Sequence, residues 1–202
     1  MNTRLLALPV VAALSLTAGY GTTAGAITSG GGTPRTVHTP TPSASPSPVG
    51  PGCKSLPSSG PGSPSAIAGE PVVTAAQHIP DLSDLVDAAK KAGLVDTLNS
   101  ASDITVFAPS NDAFKKVPKD QIDRLLGNKN ELTKVLTYHV VQGRKTPADL
   151  EKGDFTTLEG GKITTSRSGD TFKVNDAQVV CGNLQTRNAT LYIIDSVLKP
   201  RS

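Results

Sequence analysis

TVFAPSNDAF, the stretch Thr105–Phe114, marks a junction between a buried strand and a helix. Its first residues are β-branched or aromatic, which favours a strand. Pro109 cannot continue strand pairing, and Ser110 or Asn111 can accept a hydrogen bond from the free N–H groups at the start of a helix. Phe114 is expected to turn back onto the core from the first turn of that helix. The junction predicts a fold in which a strand ends abruptly and a helix begins at once.

Helical patterns lie mainly before residue 140, and strand patterns follow it. Apolar spacing predicts a short helix that begins near Val72 and stops at Pro80, and a second one that Asp81 or Ser83 caps and Gly93 ends. A further helical turn precedes the junction, and two more helices follow it. Six short strand candidates then alternate with turn residues, at 155–158, 162–166, 171–174, 178–181, 184–187 and 190–194. This order predicts an α+β fold with N-terminal helices packed on an antiparallel β-sheet wedge.

The first 26 residues have the layout of a secretory signal peptide. Arg4 supplies a positive charge, Leu5–Leu16 is a short apolar run, and Ala24–Ala26 is a fair cleavage site. The run is too short to span a bilayer stably, so we expect export and no stable membrane insertion after cleavage. Retention of the uncleaved segment as an anchor is the alternative.

Residues 27–69 are rich in Pro, Ser, Thr and Gly and predict a disordered linker, which leaves residues 70–200 as the folded domain. Alternating Ser or Thr with Pro is also the composition of O-glycosylated stalks. The candidate O-glycosylation sites are Thr39, Thr41, Ser43, Ser45 and Ser47.

Composition and spacing exclude several function classes. The chain has 202 residues and a formal net charge of only +3, with no basic run, so it predicts no nucleic-acid partner. Two cysteines and three scattered histidines provide no metal-ligand cluster, and no Gly-x-Ser-x-Gly elbow or phosphate-binding loop is present. We therefore predict a protein that is not an enzyme and has no metal site and no cofactor.

Cys53 and Cys181 allow one intramolecular disulfide, which would persist outside the cytosol. Two buried free thiols are the alternative, although Cys53 lies in Pro- and Gly-rich chain that is unlikely to be buried by itself.

Three blocks of sequence carry a resemblance to a known family. Thr105–Phe114, Leu136–Gly143 and Asn188–Leu198 resemble, in order and spacing, the signature segments of fasciclin-type (FAS1) adhesion domains. The resemblance covers residues 70–200 and implies a single FAS1 domain. Shorter segments at 49–53, 94–100 and 179–182 are similar to the secreted and lipid-anchored immunogenic fasciclin proteins of mycobacteria. This likeness implies an actinobacterial source and supports a Cys53–Cys181 bridge, while Tyr20 stands where the lipid-anchored members carry a cysteine.

The resemblance also implies a function. It implies a secreted or wall-associated monomeric module for adhesion to an unknown protein, matrix or cell-wall component, with Tyr138 and His139 as candidate contact positions. The residues themselves favour a different role for His139, a buried and hydrogen-bonded ring that holds a helix-to-strand junction together. A carrier with an apolar ligand between helices and sheet is the first alternative function, and a wall-modifying hydrolase is the second.

Overall fold

A computed structural model describes residues 47–200. The helices are α1 (Pro64–Ile67), α2 (Val72–Gln77), α3 (Ser83–Ala92), α4 (Val95–Ser100), α5 (Asn111–Lys115), α6 (Lys119–Gly127) and α7 (Lys129–Tyr138), with 3-10 turns at Pro51–Ser55 and Pro80–Leu82. The strands are β1 (Ile104–Pro109), β2 (Val140–Gln142), β3 (Lys152–Thr156), β4 (Lys162–Ser168), β5 (Thr171–Val174), β6 (Ala177–Gln185) and β7 (Ala189–Ile194). The predicted α+β class, with helices first and strands afterwards, is confirmed.

The seven strands form one mixed sheet in the order β2-β1-β7-β6-β5-β4-β3. Each successive pair from β3 to β7 is antiparallel, as predicted. The pair β1 and β7, however, is parallel. The sheet is therefore mixed, and it departs from the predicted antiparallel sheet at the β1–β7 pair. A parallel pair needs a long connection, and the helices and hairpins between residues 110 and 188 supply it.

The two edges of the sheet approach each other. Val141 of β2 forms an antiparallel bridge with Thr157, and the N–H of Leu158 donates to the carbonyl of Val140 at 2.8 Å. The chain just after β3 thus covers β2, and the sheet curves round an interior of its own.

Two apolar clusters occupy the two faces of the sheet. Successive side chains of a strand point to opposite faces, so Val106 of β1 joins the cluster under the helices, while Phe107 joins the cluster inside the curved sheet. Every residue of β1 and β7 is buried. The parallel pair is therefore the element that separates the two clusters, as expected for parallel strands covered on both faces.

Residues 47–56, which we call the strap, lie along β6. Val49 forms an antiparallel bridge with Gly182, and the side-chain amide of Asn183 donates to the carbonyl of Ser47 at 3.0 Å. The predicted disulfide between Cys53 and Cys181 is present, 128 residues apart in sequence. These contacts attach the strap to a central strand of the sheet.

The prediction of linker up to residue 69 does not hold for the part that the structure describes. Besides the strap, α1 lies in this region and the side chain of Ile67 is fully buried in the cluster under the helices. Composition misled the prediction because one covalent bond and one deeply buried side chain can order a segment that is otherwise Pro- and Gly-rich. Residues 1–46, which include the predicted signal peptide and most of the predicted linker, lie outside the described residues. Among residues 47–200, no helix has both the length and the apolar character needed to cross a bilayer.

Candidate functional site

The candidate contact residues Tyr138 and His139 lie where α7 ends and β2 begins. Tyr138 is the last residue of α7, and His139 still has helical backbone angles before the chain extends into β2. Tyr138 is 1% exposed and His139 is 2% exposed. The junction is therefore inside the protein, between the two apolar clusters.

Both ring nitrogens of His139 have partners. Nδ1 lies 2.7 Å from the carbonyl oxygen of Val135, and Nε2 lies 2.9 Å from the backbone N–H of Leu198. A carbonyl can only accept and an N–H can only donate, so the ring is neutral with its proton on Nδ1. The predicted role of His139 as a buried, hydrogen-bonded ring is confirmed.

Burial lowers the pKa of His139 to about 4, although the Val135 carbonyl favours the charged form. The ring therefore stays neutral at ordinary extracellular pH. With both nitrogens occupied, it has no free position from which to accept a substrate proton.

The hydroxyl of Tyr138 is also fully engaged. It donates to the carbonyl of Lys162 at 2.9 Å and accepts from the side-chain amide of Asn175 at 3.3 Å. The turn between β3 and β4 packs against the ring of Tyr138. Gly161 in this turn lies so close that a Cβ at residue 161 would overlap the ring atoms. Gly161 is thus required for this close approach.

A direct contact of Tyr138 or His139 with a partner stays a prediction, and the structure places neither side chain at the surface. The surface over Tyr138 belongs to the turn at 157–161. Among the described residues, Leu158 in that turn is the one large apolar side chain that is exposed, with 37% of its surface accessible. Any partner that approaches this face meets the turn before it meets the junction.

Two small apolar cavities flank His139. Each has a volume of about 30 Å³, room for on the order of two water molecules. The first lies between the helices and the sheet, with Val86 and Leu191 in its walls. The second lies beneath α6, with Leu125 and Val135 in its walls. Since His139 lines both, it forms part of the wall between them.

Sequence reasoning missed Asn188, which joins three elements. Its Oδ1 accepts from the N–H of Val72 at the start of α2, at 2.9 Å. Its Nδ2 donates to the carbonyls of Leu98 at 2.8 Å and Ala101 at 2.7 Å, beside the end of α4. Asn188 matches a glycosylation acceptor sequence, but its amide nitrogen is occupied by these bonds. The three-residue motif gave no signal of this structural role.

Arg144 was missed as well. Its guanidinium donates to the carbonyls of Thr186 and Arg187, at 3.2 and 2.7 Å, in the turn between β6 and β7. It also lies 3.2 Å from a carboxylate oxygen of Asp103. Arg144 thereby fixes the turn that leads to Asn188, and no local pattern at residue 144 points to partners more than 40 positions away.

The remaining polar candidates are at the surface. His78 is exposed, with its Nε2 3.3 Å from a carboxylate oxygen of Glu70. The carboxylate pairs at 84 and 87 and at 120 and 123 are exposed, as the sequence indicates. Within residues 47–200 no three His, Cys, Asp or Glu side chains are grouped in a way that could hold a metal ion. Of the candidate glycosylation sites, Ser47 is described and exposed, whereas Thr39, Thr41, Ser43 and Ser45 lie outside the described residues.

Known proteins are similar to this chain over most of its length. Over 160 residues the chain is 45% identical to "Immunogenic protein MPB70" of Mycobacterium bovis, which covers 75% of this chain and 82% of that protein. It is 41% identical to "Cell surface glycolipoprotein MPB83" of the same species, over 75% of this chain and 72% of that one. It is 40% identical to "Protein sll1483" of Synechocystis, over 58% of this chain and 67% of that one.

A structural similarity is found with the FAS1 domain pair from the insect cell adhesion molecule fasciclin I. The TM-score is 0.48 at 21% identity, and the match covers 58% of this chain and 45% of the insect one. The family model for the fasciclin domain matches residues 80–200, which include all three signature segments and the junction at His139. The chain belongs to the fasciclin (FAS1) domain family.

Proposed function

We propose that this protein is an exported, non-enzymatic binding module that mediates adhesion or protein interaction at the bacterial cell surface or in the surrounding matrix. The observation that carries the proposal is the similarity over three quarters of the chain to proteins named for immunogenicity and for a cell-surface location. An interface of ordinary size can act through shape and hydrogen bonds without any titrating group.

The chemistry of the junction supports a non-enzymatic role. His139, the buried histidine at the family's signature segment, uses both nitrogens for backbone partners and stays neutral. A hydrolase would need a base with one free nitrogen beside a nucleophile or a water. The hydrolase alternative therefore receives no support from this site.

A binding survey tests the proposal. The secreted protein, immobilised through its N-terminal end, is exposed to cell-wall fractions of its host and to purified matrix proteins. We expect saturable binding to one of them that persists in His78→Gln, a change at an exposed side chain. Loss of binding on unfolding is the control for a shape-dependent interface. Absence of binding to every fraction, with correctly folded protein, would contradict the proposal.

Glycosylation of the predicted stalk belongs to the same proposal. A relative 41% identical to this chain is named a glycolipoprotein, and the Thr- and Pro-rich stretch before Ser47 supplies acceptor hydroxyls. The intact mass of the protein secreted by its host is expected to exceed the mass of the cleaved chain by whole hexose units. A mass equal to that of the bare chain would remove this part of the proposal.

A carrier of an apolar small molecule is the second candidate function. Two cavities with apolar walls flank His139, and one of them lies between helices and sheet, the position that the carrier alternative predicts for a ligand. Native mass spectrometry of protein purified from its host tests this candidate. A co-purifying ligand supports it, whereas ligand-free protein from every growth condition contradicts it.

A further inference from the structure

Helix α6 covers its cavity loosely. Among the α-helices of residues 47–200, α6 is the one without a buried side chain. Its apolar face, formed by Ile122, Leu125 and Leu126, is only half-buried. The neighbouring α7, by comparison, buries Leu132 and Leu136. The packing that holds α6 down is therefore weaker than that of the helix beside it.

Few polar contacts hold α6 in place. Lys199 donates to the side-chain carbonyl of Gln121 at 3.2 Å, and this bond is exposed. Pro118 stands at the start of the helix, and Gly127 is its last residue. Since α6 buries little area and one exposed side-chain bond holds it, the helix belongs to the weakly packed part of the domain.

The cavity beneath α6 adjoins a surface cleft. The cleft lies between α3, α5 and α6 and has a volume of about 290 Å³. Cavity and cleft share the side chains of Ala88, Phe114, Ile122 and Leu126. An outward movement of α6 would join the two spaces into one apolar channel that ends at His139, whose ring offers no free polar atom.

The mouth of the cleft is charged. It carries Asp84, Asp87 and Lys91, all exposed on α3. An anionic head group would meet the carboxylates of Asp84 and Asp87 and the ammonium of Lys91, while the ammonium of Lys90 already lies 3.9 Å from a carboxylate oxygen of Asp87. An uncharged hydroxylated head group can instead donate to the carboxylates and accept from the ammonium.

We propose that the space beneath α6 is a binding site for a single alkyl chain with a small, uncharged, hydroxylated head group, and that α6 is its lid. The inference rests on the second candidate function, the apolar carrier, and adds the position of the site and the class of ligand. The chain lies among the apolar side chains between α3, α5 and α6, and the head group lies beside Lys91.

Calorimetric titration of the full secreted chain tests the ligand class. The probe is 1-monolauroylglycerol below its aggregation concentration, with lauric acid as the anionic comparison. We expect one-to-one binding of the monoacylglycerol, and binding of lauric acid weaker by about fivefold, the size of an exposed charge effect. Equal or tighter binding of lauric acid would overturn the assignment of the head group.

A matched pair of variants tests the position of the site. Ala88 and Ala89 are adjacent and equally buried on α3, but Ala88 lines the space beneath α6 and Ala89 lines the other cavity. Filling the ligand space with Ala88→Leu should weaken monolauroylglycerol binding by about tenfold, whereas Ala89→Leu changes it less than about threefold. Equal effects of the two changes, or no effect of Ala88→Leu, would overturn the site.

Two further measurements keep the outcome interpretable. Ligand should slow hydrogen exchange of the α6 amides, and Ile122→Asn, on the half-exposed lid, should weaken binding even if Ala88→Leu fails to fold. Unchanged exchange in α6, or unchanged affinity of Ile122→Asn, would contradict the role of the lid. If the wild type binds the ligand and none of the variants changes the affinity, the ligand binds elsewhere in the molecule and the site beneath α6 is wrong. Absence of binding of both probes by the wild type overturns the site and its ligand class, whereas native mass spectrometry of the host-purified protein decides the carrier function.

Discussion

The imidazole of His139 connects the end of α7 with the segment that follows β7. One nitrogen holds the last turn of α7, and the other holds the backbone of Leu198, four residues after β7 ends. Its own carbonyl accepts from the N–H of Phe107 in β1 at 2.8 Å. A single buried residue thus connects a helix, the parallel strand pair and the C-terminal segment.

The buried neutral ring makes stability depend on pH. The pKa of His139 is lowered from 6.5 to about 4 in the folded protein, so between these values the unfolded chain binds more protons. The contribution is fully present above pH 6.5 and is lost as pH falls towards 4. The expected loss in the free energy of unfolding is about 3 kcal/mol. Urea denaturation at intervals between pH 4 and 7 measures it.

His139→Gln is the matched variant for this prediction, because an amide can donate to Val135 and accept from Leu198 without titrating. Its stability should vary less with pH than that of the wild type across the same range. Identical slopes for wild type and His139→Gln would contradict the assignment.

Asn188 is a second residue on which several elements depend. Asn188→Ala leaves the N–H of Val72 and the carbonyls of Leu98 and Ala101 without their side-chain partner. We expect a loss of about 3 kcal/mol in the free energy of unfolding, because partly buried polar groups lose their hydrogen bonds. Thermal or chemical denaturation measures this loss.

The comparison variant is Asn128→Ala, which removes an exposed helix cap at the start of α7. It should cost only about 1 kcal/mol. Equal effects of the two changes would show that Asn188 acts as a simple cap.

At the level of elements, the junction after β1 does more than the sequence indicates. Ser110 caps α5, as predicted, by accepting from the N–H of Ala113 at 3.3 Å. The predicted caps of α3, Asp81 or Ser83, are wrong. Asn111 takes that role from a distance, since its Oδ1 accepts from the N–H of Asp84 at 3.1 Å and its Nδ2 donates to the carbonyl of Pro80.

Asn111→Ala should therefore destabilise α3, although residue 111 lies in α5. The expected loss is about 1 kcal/mol, the usual cost of a lost helix cap. Faster hydrogen exchange at the first amides of α3 would locate the effect. In the control Ser110→Ala the increase should appear in α5 instead, and a response confined to α5 in both variants would contradict the coupling.

Local sequence patterns predicted most helices and strands well. Several features that depend on pairing between distant segments were not predicted. Helical spacing and the glycine at residue 93 located α3, whose end at Gly93 has the expected left-handed backbone. The two strands predicted at 178–181 and 184–187 are one strand, β6, with bulges on both sides of Cys181. Gly182 and Asn183 look like turn residues, but here they serve a bulge under the ring of Tyr192 and a contact with the strap.

At the scale of the whole molecule, the parallel pairing of β1 with β7 was not predictable from local pattern. Both strands read as buried, and nothing in either sequence records the direction of its neighbour. The burial of Tyr138 was equally hidden, because it depends on the turn at Gly161, more than 20 residues away. In contrast, the disulfide followed from there being only two cysteines in the chain.

Reduction of this disulfide should destabilise the entire domain. The Cys53–Cys181 bond closes a loop with a sequence separation of 128, for which the chain-entropy model gives about 4–5 kcal/mol. Denaturation with and without reductant is expected to show a loss of that order. The double variant Cys53→Ser, Cys181→Ser should be equally destabilised and insensitive to reductant. If the free energy of unfolding of the wild type does not change with reductant, the prediction is contradicted.

The same bond determines how the domain responds to mechanical force. If the chain before Ser47 is anchored and the C-terminus is pulled, tension passes along the strap and through the Cys53–Cys181 bond into β6. Because the disulfide joins residues 53 and 181 directly, the chain between them, which contains α1 to α7 and β1 to β5, carries no tension. Within residues 47–200, the strap before Cys53 and the residues beyond Cys181 are then the parts that can unravel, so the extension under load stays short until the bond is reduced.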